Sequence, residues 1–271
     1  MVRDVTLGQF MPGHSLIHKL DARSKILLLI AYIVFIFLSE NYFSLALITV
    51  ASLAVILLTK INFKFYLKSL KVILFVIVFT GILNIFYGSG TVLYEWGFIT
   101  ITEGGINNAI FVIIRIAVLV MISSVLTFTT SPSDLTDAIE KLLKPLSVFH
   151  IKVHEIAMMM TIALRFIPVF LEETDKIMNA QKARGADFES GNVFQRIKAL
   201  IPVLIPLFVS SFRCANDLAT AMECRCYNGG NNRTRMKVMK FSLADLFGLM
   251  FSLLVFAGVI LLNLYLPAVV R

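Results

Sequence analysis

Two arginines carry the first chemistry that the sequence offers. Arg184 stands between Ala183 and Gly185 in AQKARGADF, and Arg225 stands between Cys224 and Cys226 in AMECRCYNGG. Each closes a long helical pattern. A cation at a helix C-terminus is favoured by the helix dipole alone, by roughly 0.3–1 kcal/mol. Taken from the residues alone, that contribution is the plainer reading of both, with docking to a partner as the alternative. A third arginine, Arg115, falls near the centre of an apolar run over 105–128. A charge there costs about 2.5–3.5 kcal/mol on insertion scales, so it must face protein or water. Its candidate partners are Asn84, Glu40, Asp245 and helix carbonyls. A lone charge without nearby acids makes a poor relay. The expected role is a structural tie inside the membrane, with a substrate or ion path as the alternative.

Other chemistries find less support. His14/His18 and His150/His154 have the spacing that puts two rings on one helix face. No third ligand accompanies either pair, so no metal site is expected and surface or interface histidines are the plainer reading. Cys214, Cys224 and Cys226 are odd in number and lack Cys-x-x-Cys spacing. They read as reduced thiols rather than a disulfide framework or a zinc site. A P-loop requires glycine followed by lysine, and no glycine here is followed by lysine. The chain is not expected to hold ATP through such a loop. No cluster of acids marks a membrane hydrolase or transferase.

These residues are positioned by a very apolar chain. Of 271 residues 58% are hydrophobic and 15% charged, and phenylalanine alone occurs 23 times. An average soluble domain is about 25% charged. The expected class is an all-α polytopic membrane protein. Five segments are apolar enough to span: 26–38, 42–58, 72–87, 105–128 and 242–265. The first begins after a polar lead and no small-residue cleavage site follows, so it reads as a retained helix rather than a signal peptide.

Loop charges set the direction. The lead carries Arg3, Lys19, Arg23 and Lys25, and the turn at 39–41 carries no basic residue. The next connection carries Lys60, Lys64, Lys68 and Lys71, and that at 88–104 carries none. The positive-inside rule then puts the N-terminus in the cytoplasm and, after five spans, the C-terminus outside. The expected organisation is a membrane bundle of four spans over 1–130, cytoplasmic helices over 131–240 and a last transmembrane helix over 241–271. The insertion holds 15 basic and 11 acidic residues. Attraction to anionic membrane lipid accounts for most of its lysines.

Three helices are expected in the insertion. SPSDLTDAIEKLLKPL at 131–146 begins with Ser131 as cap and Pro132 in the first turn, and is amphipathic. A second helix over 153–183 starts apolar and ends charged, with Pro168 as its expected kink and Gly185 as its C-terminal cap. A third over 193–226 repeats that plan, with Pro202 and Pro206 as kinks and Gly229 and Gly230 at its end.

Taken in order, these features resemble the transmembrane T component of energy-coupling factor (ECF) transporters, the EcfT/CbiQ family. PGHSLIHKLDARSK looks like the family's opening motif, with Ala22 where proline is usual. TSPSDLTDAIEKLLKPL looks like its approach to the cytoplasmic helices. AQKARGADF and AMECRCYNGG look like its two Ala-Arg-Gly signatures, the second departing to Cys-Arg-Cys.

The resemblance implies a non-catalytic scaffold. It would join two ATP-binding cassette ATPase subunits, which hold ATP and Mg, to a membrane-embedded substrate-binding S component. No cofactor is expected on this chain. Arg184 and Arg225 would dock one in each ATPase, where the planar guanidinium can bond a carboxylate bidentately. Met158, Met159 and Met160 are candidate contacts for the S component, or ordinary packing. The cargo would be a micronutrient, with the Cys-Arg-Cys-Tyr form leaning towards vitamins. The competing class is a self-contained secondary transporter, which would need ionisable groups along a membrane path.

Overall fold

The computed structural model describes residues 10–86, 92–96, 99–149, 152–188, 190, 192–229 and 241–266. The helices are α1 (Ala22–Leu38), α2 (Tyr42–Thr59), α3 (Phe63–Phe86), α4 (Glu103–Thr129), α5 (Pro132–Leu143), α6 (Val153–Ala183), α7 (Val193–Cys224) and α8 (Leu243–Tyr265). A 3-10 turn over Lys144–Phe149 follows α5, as Pro145 ends the α-helical ladder. Two short antiparallel strands, β1 (Val92–Trp96) and β2 (Ile99–Thr102), join α3 to α4. Within the loop expected at 88–104, these strands form a hairpin.

Among the described residues six helices are long and apolar enough to cross a membrane: α2, α3, α4, α6, most of α7 and α8. The expected count was five. α1, with 17 residues, is at the short end for a span, while α6 and α7 join the set because their apolar halves are longer than a turn-by-turn reading credits. Lys64, Lys68 and Lys71 belong to α3 rather than to a loop. Long lysine stems reach an interface from inside a helix, which hides the boundary in sequence.

The chain divides into two units. One comprises 8–138 and 238–271; the other comprises 139–237 together with the N-terminal 1–7, which lie outside the described residues. The first is a bundle of α1 to α4 and α8. Its core gathers Tyr32, Phe35, Ile36, Ile48, Tyr66, Ile122, Phe128 and Val259. Tyr66 is fully buried, its ring edge-on to Phe128 and its hydroxyl 3.0 Å from Thr59 Oγ1. α3 and α4 come very close at Gly105, where a Cβ would stand 2.6 Å from the carbonyl oxygen of Ile85. Only glycine fits there, the small-residue contact by which membrane helices pack.

The ends of the bundle are fixed by polar groups. At one end, Asp245 is 1% exposed and caps its own helix, accepting Ser242 N at 2.7 Å. Its other oxygen accepts Asp21 N, the N-cap of α1, at 2.9 Å. One carboxylate thus satisfies amides at two helix N-termini. Lys25 donates to the carbonyl of Thr129 at 2.9 Å, where α4 ends. At the other end of α1, Asn41 Nδ2 donates to the carbonyls of Leu262 and Leu266, and Asn263 Nδ2 donates to Leu38 O. Without water to accept these groups, such bonds tie α8 to the α1–α2 turn.

In the second unit, α6 and α7 meet where Gln181 Nε2 approaches Pro202 O at 3.4 Å. Pro206 has no N–H, so the carbonyl four residues before it, that of Pro202, lacks its intrahelical donor. Gln181 fills that place. His154 Nδ1 lies 3.0 Å from Glu140, joining the start of α6 to the end of α5.

Candidate docking tips of α6 and α7

Arg184 and Arg225 are the C-caps of α6 and α7, and their backbones match closely. Arg184 has φ −87 and ψ 6; Arg225 has φ −92 and ψ 14. The next residue is left-handed in both, Gly185 at φ 87 and Cys226 at φ 52. Gly185 N donates to Lys182 O at 3.0 Å, and Ala186 N to Gln181 O at 3.0 Å. Cys226 N donates to Glu223 O at 2.8 Å, and Tyr227 N to Met222 O at 3.0 Å. Both helices therefore end in the same Schellman motif.

This corrects one expectation. α7 is closed by Cys226, not by Gly229 and Gly230. Gly230 lies outside the described residues, and Gly229, at φ 81, makes a separate bend. Cys226 takes the glycine-like backbone although its Cβ makes that unfavourable, by roughly 1–2 kcal/mol. Two orphan carbonyls of the last turn, those of Met222 and Glu223, gain donors in return.

Arg184 and Arg225 are exposed, as are Ala183, Gly185, Cys224 and Cys226. Neither guanidinium makes an ion pair among the described residues. The tips also stand apart. Arg184 is three residues past Gln181, at the crossing, whereas Arg225 is 23 residues past Pro202. At about 1.5 Å per residue, that is roughly 35 Å of helix. They are two sites, not two halves of one. All three thiols are free.

Pro168, Pro202 and Pro206 lie inside continuous helices. Each deletes one rung of the ladder and leaves a carbonyl open to an outside donor. Met159 and Met160 are exposed, and Met158 is half-buried.

Arg115 is placed by the bundle. Its Nη2 donates to Ser39 O at 2.7 Å, and its guanidinium lies 4.6 Å from the centre of the Phe111 ring. Ser39 is the C-cap of α1. Of the candidate partners, a helix-end carbonyl takes the bond. Asn84 instead donates to Thr80 O, and Asp245 serves the helix N-termini.

The opening motif resolves into a local lock. His18 uses one ring nitrogen with Ser15 Oγ at 2.6 Å and the other with Met11 O at 3.0 Å. Asp21 pairs with Arg23 at 2.7 Å, and Arg23 lies over the Phe241 ring. Both nitrogens of His18 are thus engaged; His150 lies outside the described residues. Among the described residues no three His, Cys, Asp or Glu side chains gather as a metal ion requires.

Fold and site together define a multi-pass membrane protein whose exposed chemistry is two matched arginine caps. The family model for the cobalt transport protein CbiQ matches residues 13–236, so the chain belongs to that family. Relatives called energy-coupling factor transporter transmembrane protein EcfT include one from Ruminiclostridium cellulolyticum, 56% identical over 90% of this chain and 92% of the relative. Others are from Listeria monocytogenes, 44% identical over 97% and 99%, and Bacillus subtilis, 42% identical over 96% and 98%. The chain is a bacterial membrane protein of a transporter family whose members are transmembrane components.

Proposed function

We propose that this chain is the scaffold of an ATP-driven ECF-type importer. Arg184 docks one ATP-binding cassette subunit and Arg225 the other, and apolar helix faces hold a membrane-embedded S component. The observation that carries this reading is the pair of caps. The same backbone motif presents the same cation twice, at two separate places, neither in an ion pair among the described residues. One partner type used twice asks for that arrangement, and a dipole contribution does not. Arginine suits the task because its fork bonds a carboxylate through two donors.

Charge supports a cytoplasmic position for the Arg184 tip. Lys182, Arg184, Arg196 and Lys198 crowd the connection between α6 and α7, which the positive-inside rule keeps in the cytoplasm. The apolar halves of α6 and α7 are then turned to the membrane and their charged ends to the cytoplasm. Closure of the ATPase pair moves the tips, and the helices carry that motion to the S component. Cargo is recognised there, and vitamins are the proposed class.

Purification of the tagged chain from native membranes tests the reading. The expected result is co-purification of two nucleotide-binding chains and one small hydrophobic protein, with uptake that requires ATP. A homogeneous single chain that transports without ATP would overturn it in favour of a secondary transporter.

A further inference from the structure

The bundle encloses a cavity of about 620 Å³ between the lead, α1, α2, α4 and α8. That volume falls within the roughly 300–1,000 Å³ of small-molecule sites. Its wall is apolar almost throughout, and the ammonium of Lys25, which also lines it, is engaged with Thr129 O. Besides Lys25, the only polar side chains on the wall are those of Tyr32 and Thr129. Leu16, Leu58, Leu243 and Phe247 line the cavity and are also exposed, so it opens sideways. In a membrane bundle the medium on that side is hydrocarbon.

The rim carries charge of one sign. Lys19 precedes the lining residue Leu20, and Lys60 follows Leu58 by two positions; both lysines are exposed. α1 begins and α2 ends at the same end of their hairpin, so both lysines belong to that end. Of the nearby acids Asp134 accepts from Ser131 Oγ at 2.8 Å, and the other two lie inside. Asp245 is buried on two backbone amides, and Asp21 is buried on Arg23. The mouth is therefore basic above an apolar slot.

We propose that the cavity holds one acyl chain of an anionic membrane phospholipid, with the phosphate at the rim beside Lys19 and Lys60. The lipid fills the space that α1, α2 and α8 leave between them.

Native mass spectrometry of the full-length chain in mild detergent tests this, titrated with phosphatidylglycerol and with phosphatidylcholine of the same chains. The expected result is one saturable phosphatidylglycerol adduct per chain, preferred by about fivefold for each rim lysine. Lys19→Gln with Lys60→Gln, both exposed, erases the preference. Ala54→Phe, which fills the slot, abolishes the saturable adduct. Equal, unsaturable binding of both lipids overturns the proposal. So does an undiminished preference in the lysine variant, or a saturable adduct in an Ala54→Phe protein of unaltered circular dichroism. If Ala54→Phe does not fold, the lysine variant decides.

Discussion

Arg115 and the pair Arg184/Arg225 carry one functional group into opposite surroundings. Arg115 is half-buried in the bundle, bonded to the end of α1 and stacked against Phe111. The other two are exposed at helix ends, with no ion pair among the described residues. A membrane interior tolerates a cation only when the protein supplies its partner. An exposed cation at a helix C-cap, without an ion pair among the described residues, has no such internal partner. The comparison separates residues that hold the chain together from residues that reach beyond it. Variants in the bundle should lower stability, and variants at the tips should spare it.

The largest stability loss is expected at Asp245. Asp245→Ala strips a buried acceptor from Asp21 N and Ser242 N. Hydrogen bonds to a charged group are worth about 1.5–3 kcal/mol each, so the loss should be about 3 kcal/mol or more. Thermal unfolding in detergent would show it, and Asp245→Asn, which keeps one acceptor, should recover part of the loss. An unchanged transition would contradict the lock at this end of the bundle. Arg115→Leu comes next, at about 1–2 kcal/mol by the scale of interhelical polar contacts in membranes. Lower abundance of the assembled protein checks that role. Normal abundance with altered transport selectivity would instead mark a substrate path.

Smaller effects separate the two tips. Gly185→Ala meets no neighbouring atom, so its cost is conformational alone, about 1 kcal/mol. Cys226→Gly should gain a similar amount, since Cys226 occupies the same left-handed region. Amide hydrogen exchange at Ala186 and Tyr227 reads both changes, faster at the first tip and slower at the second. If the two changes share one sign, the caps are not equivalent.

The sequence made the helices and both arginines legible because each depends on local patterns. The limits of α6 matched at Val153 and Ala183, where a periodic run meets Gly185. The end of α7 did not, because a cysteine rarely takes positive φ and the following glycines are stronger stop signals. The signal was present in the register: aligned on their arginines, Cys226 falls on Gly185. The double duty of Asp245 was illegible for another reason. Its capping box with Ser242 is local, but the amide of Asp21 is 224 residues away. The partner of Arg115 was equally distant, and a backbone carbonyl leaves no mark in composition.

The central claim is that two arginine caps dock two ATPases. Arg184→Glu combined with Arg225→Glu tests it most directly, with the thermal transition of the isolated chain recorded beside ATPase co-purification and ATP-driven uptake. Severing a docked charge pair costs roughly 2–5 kcal/mol, about 30-fold in affinity or more. The account predicts lost co-purification and lost uptake with an unshifted transition. Intact co-purification and uptake in the doubly reversed protein would contradict it.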